Sequence, residues 1–177
     1  MKIFVACSAS NDIPQRYLDE SRYILERILK KNDLVFGACP NGIMGISYET
    51  ALKNGRNITG VCPEAYKDDF LALKCTKEIT TYSVAGRTDE LINESDIILF
   101  LPGGIGTMYE LFRALESKRC NEFNKPMIIF NCHGFYDNWL KLMEQLYSEK
   151  FSKRDAADNY IILNNKDDVI KLVEKMQ

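Results

Sequence analysis

The chain has 177 residues, of which 46% are hydrophobic and 27% are charged, and its formal net charge is -2. This length suits one globular domain, residues 1–177, and the near-neutral charge excludes a general attraction to nucleic acid or anionic membranes. No apolar run reaches membrane-spanning length, and the apolar stretch at residues 3–6 is too brief for a secretory signal, so we expect a cytoplasmic protein.

The cysteine content agrees with a reducing compartment. None of the six cysteines forms a C-x-x-C pair, and none lies at a zinc-like spacing from the single histidine, His133. In a cytosolic protein such residues are typically reduced, mostly buried thiols that act as small hydrophobic side chains. We therefore expect neither a metal site nor a catalytic cysteine. The residues are Cys7, Cys39, Cys62, Cys75, Cys120 and Cys132.

The first half of the chain alternates short apolar runs with segments of helical periodicity. Strands are predicted at residues 2–7, 34–36, 57–62 and 77–82, and a polar excursion opens after residue 63. Helices are predicted after residue 14 and at residues 46–54 and 86–94. The first of these helices has a periodic inward stripe formed by Tyr17, Ser21, Ile24, Leu25 and Ile28.

The second half continues the alternation. Strands are predicted at residues 97–101, 127–130 and 161–163, and helices after residue 107, at residues 136–148 and behind a cap at Asn165 or its neighbour. The polar residues 149–159 are predicted to form a mobile loop. Because the strand runs are apolar without alternation and helices separate them, we predict an α/β fold. Its mainly parallel sheet is covered by helices on both faces.

Residues 96–115 form the most informative stretch. A buried strand ends at Pro102, and Gly103, Gly104 and Gly106 supply a turn that a backbone with Cβ atoms would resist. Thr107 is predicted to cap the following helix. Free N–H groups and the positive end of the helix dipole converge there, which indicates an anion site, most plausibly for phosphate. The inward stripe of that helix is Met108, Leu111, Phe112 and Leu115.

A simpler reading of this stretch stays open on the residues alone. Thr107 and Glu110 have the spacing of a capping box, in which the glutamate only closes the start of the helix. Three glycines between a strand and a helix can also be a tight turn without a ligand.

A second glycine-bearing loop, residues 37–45, also lies between a strand and a helix. In a doubly wound parallel sheet, ligands bind beyond the carboxyl ends of the strands, where the strand order reverses. Both glycine loops, the loop containing Ser8 and the region of Arg87 would then open at one edge of the sheet.

Residues 102–110 read PGGIGTMYE and match P-G-G-x-G-T-x-x-E, the signature of the LOG family, which is named after the plant "lonely guy" enzymes. The resemblance covers most of the chain. Residues 4–10 resemble the family's first strand and serine loop, and the second loop ends in a similar G-x-M-G turn formed by Gly42, Met44 and Gly45. Residues 125–131 and the GFYD turn at 134–137 resemble the following strand and turn of the family.

The resemblance implies a Rossmann-like nucleotide-binding domain, usually dimeric. It implies hydrolysis of the N-glycosidic bond of a nucleoside 5′-monophosphate, with cytokinin-riboside, AMP-like or CMP-like substrates, and no metal or redox cofactor. The family's catalytic arginine and glutamate fall on Arg87 and Glu110. The 5′-phosphate would be held by Gly103, Gly104, Gly106 and Thr107, and the substrate would also be bound by Ser8, Gly42, Met44 and Gly45.

Several roles stay open at this stage. Glu110 could stabilise an oxocarbenium-like centre, hold the ribose hydroxyls or activate water. Arg87 could orient Glu110 or the nucleotide, or it could be a surface partner of Asp89 and Glu90. Ser8 could be an ordinary turn residue.

The chain departs from the family's M-H-E-R-K stretch, because only the arginine survives in residues 84–88, VAGRT. This departure leaves the preferred base open and motivates an alternative function, a nucleotide-binding or sensing module without turnover. A weaker alternative is a ribosyl or deoxyribosyl transferase, in which an acceptor base replaces water.

Overall fold

The computed structural model describes residues 1–67, 72–153 and 159–177. Within these ranges, seven strands form one sheet in which every neighbouring pair is parallel, and the strand order is β4-β3-β2-β1-β5-β6-β7. The predicted parallel sheet is therefore confirmed. The strands are β1 (Lys2–Ala6), β2 (Asp33–Phe36), β3 (Ile58–Pro63), β4 (Lys77–Thr81), β5 (Ile97–Phe100), β6 (Met127–Phe130) and β7 (Ile161–Leu163).

Helices cover both faces of the sheet, as a doubly wound fold requires. Successive residues of β1 point to opposite faces, so Ile3 and Val5 belong to one hydrophobic core and Phe4 and Ala6 to the other. The described helices are α1 (Gln15–Ile28), α2 (Gly42–Lys53), α3 (Val84–Asn93), α4 (Ile105–Arg119), α5 (Asp137–Ser148) and α6 (Lys166–Lys175). Buried residues of α1, α2 and α6 line the first core, and those of α3, α4 and α5 line the second.

The strand order reverses beside β1. The chain first builds outward through β2, β3 and β4, and then returns to place β5 against the other side of β1. The loops that follow β1 and β5 therefore diverge to opposite faces, and the crevice between them is where doubly wound folds bind ligands.

Two predicted helix starts are wrong. Helix α2 begins at Gly42 rather than at residue 46, because the loop glycines Gly42 and Gly45 belong to its first turn. Helix α4 begins at Ile105 behind an extended Gly104, so Thr107 is the third helical residue and not the N-cap. In both cases the prediction placed glycines outside the helix on intrinsic propensity, which tertiary contacts override.

The predicted helix cap of α6 and two predicted loops have different outcomes. The predicted cap of α6 is confirmed, since the Asn165 side chain accepts a hydrogen bond from the Asp167 N–H at 2.7 Å. Residues 154–158 of the predicted mobile loop, and residues 68–71 of the excursion after β3, lie outside the described residues.

All six cysteines are described and carry free thiols. In the ranges that the structure describes, no helix has the length and apolar character needed to cross a bilayer.

Candidate active site

The loops that follow β1, β2 and β5 are joined by backbone hydrogen bonds at the carboxyl edge of the sheet. The Leu101 N–H donates to the Ala6 carbonyl at 3.0 Å, and the Ser8 N–H donates to the Pro102 carbonyl at 3.1 Å. The Met44 N–H in turn donates to the Ser8 carbonyl at 3.1 Å. The three loops that the sequence predicted to share one edge are therefore in direct contact, and Ser8 lies at their centre.

The signature loop, residues 102–107, ends in the first turn of α4. The first N–H groups of this helix have no carbonyl one turn earlier to bond, and the exposed Gly104 and Gly106 carry no side chain that would shield them. The loop and helix start can therefore offer N–H groups and a positive dipole end to an anion.

The glycines of the signature loop are needed for different physical reasons. A Cβ at Gly103 would overlap the buried side chain of Thr107, whereas a Cβ at Gly104 or Gly106 would meet nothing within 4 Å. The prediction that all three resist a side chain is therefore wrong for the last two. Their contribution is an unshielded approach to the backbone, and the Thr107 hydroxyl lies beside Gly103 at the start of the helix.

The second loop needs its glycines for conformation and space. Gly42 has φ +61°, and a Cβ there would lie 2.6 Å from the Ser10 carbonyl oxygen, while a Cβ at Gly45 would overlap the Pro40 carbonyl. The Gly42 N–H donates to the Asn11 side-chain oxygen at 2.8 Å. Asn11 therefore fastens the first loop to the second, a role that its sequence context, an ordinary polar turn, did not indicate.

Arg87 and Glu110 are brought together across the same edge. The Arg87 Nη2 donates to the Glu110 Oε1 at 3.0 Å, and the side chains are 17% and 4% exposed, respectively. Glu110 therefore bonds a distant arginine and does not close the N-terminus of its own helix, so the capping-box reading is wrong. Arg87 is likewise not a partner of Asp89, which bonds Arg113 instead.

Burial dominates the electrostatics of this pair. Desolvation raises the pKa of Glu110 to about 7, although the guanidinium of Arg87 acts in the opposite direction. The thiol of Cys7 is fully buried, and desolvation together with the negative charge of Glu110 raises the pKa of this thiol well above its ordinary value. A carboxyl group poised near neutral pH can exchange a proton under physiological conditions.

Arg87 also borders a cleft of about 280 Å³ beyond the ends of β2 and β3. In the described part of the chain, the buried Nε of Arg87 has no hydrogen-bond partner, which is unusual for a guanidinium. A Cβ added at Gly37 would lie 3.4 Å from the Met44 side chain and 3.8 Å from Arg87 Nη1, so the glycine leaves room beside both side chains. The cleft is lined by Gly37, Ala38, Cys39, Pro40, Asn41, Cys62, Pro63, Tyr66 and Arg87.

Comparison with known proteins gives a consistent result at the sequence level. Residues 44–173 match the family model described as "Possible lysine decarboxylase". The cytokinin riboside 5′-monophosphate phosphoribohydrolase LOG2 of Arabidopsis thaliana is 26% identical over 176 residues, which cover 98% of this chain and 83% of that protein. The probable cytokinin riboside 5′-monophosphate phosphoribohydrolase LOG4 of Oryza sativa subsp. japonica is 30% identical over 159 residues, or 89% and 68% of the two chains.

Solved structures share the fold. The molybdenum cofactor carrier protein of Chlamydomonas reinhardtii superimposes with a TM-score of 0.68 at 20% sequence identity, covering 98% of this chain and 96% of that one. At this identity the similarity describes the architecture alone, and it agrees with the doubly wound sheet described above.

Proposed function

The chain belongs to the LOG family, whose model is described as "Possible lysine decarboxylase", and from that premise we propose that it hydrolyses N-glycosidic bonds of nucleoside 5′-monophosphates. The products are a free base and ribose 5-phosphate. We propose that residues 1–177 act as a single nucleotide-binding domain.

One observation carries the proposal, namely the buried ion pair of Arg87 and Glu110 at the edge where the glycine loops meet. A buried pair is weak as a stabilising device, because desolvating two charges offsets most of their attraction. A purely structural protein would gain little from placing it beside an anion site. An enzyme that cleaves a glycosidic bond needs a carboxylate next to the ribose, because positive charge develops there in the transition state.

The chemistry then divides between the elements of the site. The 5′-phosphate is held by the Thr107 hydroxyl and by the amides of Gly103, Gly104 and Gly106. The opposite wall of the phosphate site is formed by the backbone of Ser8, Gly42, Met44 and Gly45. Glu110 faces the ribose, where its ionised form stabilises the oxocarbenium-like centre or activates water. Arg87 keeps Glu110 in place through Nη2 and offers Nη1, on the side of Gly37, to the substrate.

We assign the cleft beside Arg87 to the base, because its walls combine two prolines and an aromatic ring with a few polar groups. A Cys39→Trp variant, which fills the cleft, is expected to raise KM for nucleotides while leaving competitive inhibition by ribose 5-phosphate unchanged. Equal losses for the nucleotide and for ribose 5-phosphate would contradict the assignment.

The direct test is a chromatographic screen of nucleoside 5′-monophosphates for released base, with the matching unphosphorylated nucleosides as controls. We expect release from at least one monophosphate and none from its nucleoside, because the glycine loop binds the phosphate. Base release without a need for phosphate would contradict the loop assignment. Tight nucleotide binding without release would favour the binding module, and exchange of a labelled base into a nucleotide would identify a transferase.

We further propose a cytoplasmic homodimer. Ile105, Tyr109 and Phe112 lie on one side of α4 at helical spacing and are 90%, 40% and 40% exposed, next to Glu110 on the same helix. The prediction that Phe112 belongs to the inward stripe of this helix is therefore wrong. A second copy seated on this face would shield the mouth of the site, and the free thiols suit a reducing compartment. Sedimentation should show a dimer that Phe112→Asp dissociates and that the control Leu52→Asp, at a singly exposed leucine of α2, does not.

A further inference from the structure

The GFYD turn between β6 and α5 contains a residue that reaches the signature loop. Tyr136 is fully buried, and its ring makes an edge contact with Phe135 at a centroid distance of 5.1 Å. The Tyr136 hydroxyl donates a hydrogen bond of 2.7 Å to the Leu101 carbonyl. Because Leu101 directly precedes the signature loop, a side chain of one turn fixes the backbone of another.

The turn that presents Tyr136 is itself held by one buried asparagine. The Asn131 Oδ1 accepts a hydrogen bond from the Tyr136 N–H at 2.8 Å. Its Nδ2 donates to Asp137 Oδ1 and to Asn164 Oδ1, both at 2.9 Å. Asn131 therefore ties the turn to the start of α5 and to the loop after β7, which leaves Tyr136 little freedom to move.

The backbone of the turn adopts uncommon left-handed φ angles, which allow it to present Tyr136 to the signature loop. His133 and Gly134 have φ angles of 50° and 72°, in the left-handed region. A Cβ at Gly134 would lie 2.6 Å from Asp137 Oδ2, so both the φ angle and the space require glycine. Consecutive left-handed residues cost free energy, and they persist where surrounding contacts determine them, as the bonds of Asn131 do here.

We propose that Tyr136 is a positioning residue for the signature loop, which binds the 5′-phosphate, an inference that rests on the proposed function. The Leu101 N–H is held by Ala6 and its carbonyl by Tyr136, and the next carbonyl, that of Pro102, is held by Ser8. Of these three anchors, the hydroxyl is the one supplied by a side chain. Without it, the Leu101–Pro102 peptide is free to rotate, and the orientation of the Gly103 N–H then depends on the bond from Ser8 to the Pro102 carbonyl alone.

The hydroxyl is suited to a constant structural task rather than to proton transfer. Desolvation, reinforced by the negative charges of Cys7 and Glu110 when these are ionised, raises the pKa of Tyr136 far above its ordinary value. The group therefore stays protonated, and it donates to Leu101 at every pH at which the protein is folded.

The test compares Tyr136→Phe with a matched control, Tyr48→Phe. Tyr48 is a partly buried tyrosine whose ring stacks on Phe36 and whose hydroxyl accepts a hydrogen bond from the Lys74 N–H at 2.8 Å. Loss of one backbone hydrogen bond should lower the stability of both variants to urea. Only Tyr136→Phe is expected to raise KM for the monophosphate and the inhibition constant of ribose 5-phosphate, each about tenfold, with a smaller change in kcat.

The outcomes separate this proposal from the proposed function. If the wild-type protein releases no base, calorimetry with ribose 5-phosphate still tests the positioning role, and a tenfold weaker complex of Tyr136→Phe supports it. Unchanged affinity in a destabilised Tyr136→Phe protein, or no binding of ribose 5-phosphate by the wild type, overturns it. Should Tyr136→Phe not fold, Asn164→Ala loosens the same turn from its exposed end. Asn164→Ala is then expected to weaken ribose 5-phosphate binding about threefold, and an unchanged affinity overturns the proposal.

Discussion

Two ion pairs join the same two helices, α3 and α4, and they resemble each other only in length. Arg87 bonds Glu110 at 3.0 Å, and Asp89 bonds Arg113 at 2.8 Å. The side chains of the first pair are 17% and 4% exposed, whereas those of the second are 33% exposed for Arg113 and 44% for Asp89. Since the geometry is nearly the same, the difference between the pairs comes from their surroundings.

The surroundings assign the two pairs to different tasks. Water screens Asp89 and Arg113, so their attraction is worth at most about 1 kcal/mol. Burial makes Glu110 costly to ionise, and its pKa of about 7 is the result. The outer pair therefore contributes little to the contact between the helices, whereas the inner pair holds a carboxyl group with a raised pKa at the cost of stability. The following predictions test this contrast, beginning with the largest effect.

Replacing the inner carboxyl group should have the largest consequence. Glu110→Gln keeps the shape of the side chain but removes the charge that we propose stabilises the ribose cation, so kcat for base release is expected to fall about 10³-fold. The matched control is Glu116→Gln on the same helix, where Glu116 is exposed and pairs with Arg119. Steady-state release of base should change less than about twofold in the control. Comparable losses in both variants would show that the helix, and not the carboxyl group, matters.

Replacing each arginine by lysine compares the two pairs directly. Arg87→Lys keeps the charge but loses the planar fork, which bonds Glu110 through Nη2 and which we propose meets the substrate through Nη1, so kcat/KM is expected to fall about 10²-fold. Arg113→Lys makes the same change in the outer pair and should leave kcat/KM within about twofold. If Arg87→Lys were as active as Arg113→Lys, the inner pair would be a structural feature only.

The inner pair should also make stability depend on pH. The folded-state pKa of Glu110, about 7, lies above the ordinary value of 4.5, so the native state binds the extra proton between these values. Stability therefore decreases as the pH rises through this window, by roughly 2 to 3 kcal/mol between about pH 5 and pH 8. Urea unfolding of the wild type and of Glu110→Gln at both pH values measures the effect as a difference, in which other titrating groups cancel. A difference that does not change with pH would contradict the raised pKa.

The two ion pairs also show how far sequence reasoning reaches. Inner strands such as β5 and β6 were predicted to within about two residues, because a strand buried on both faces has an uninterrupted apolar signature. The edge strand β4, which reads KEITT and is largely exposed, has no such signature. The pairing of Arg87 with Glu110 came from the family resemblance, since 23 residues separate them and Asp89 was the nearer candidate. Local spacing favours ion pairs between residues that are close in sequence. In the folded protein Arg87 instead pairs with Glu110, which is distant in sequence.

The remaining misses have the same physical origin. Thr107 was assigned as a helix cap on its intrinsic preference, whereas the chain enters α4 through an extended Gly104 that leaves the N–H groups open. Asn11 and Tyr136 contribute through bonds to residues 31 and 35 positions away, respectively. Such contacts follow from the order of strands in the sheet, which a single sequence does not reveal.

The smallest expected effect concerns the outer pair itself. A double-mutant cycle of Asp89→Asn and Arg113→Met, measured by urea unfolding, should give a coupling energy below about 1 kcal/mol that weakens further in 0.5 M salt. Arg113 also lies 3.6 Å from Glu122, so part of its charge stays compensated when Asp89 is removed. A coupling energy above about 2 kcal/mol would mean that water screens the outer pair as little as the inner one. Burial would then not distinguish the two pairs, and the remaining difference would be the position of Glu110 beside the glycine loop.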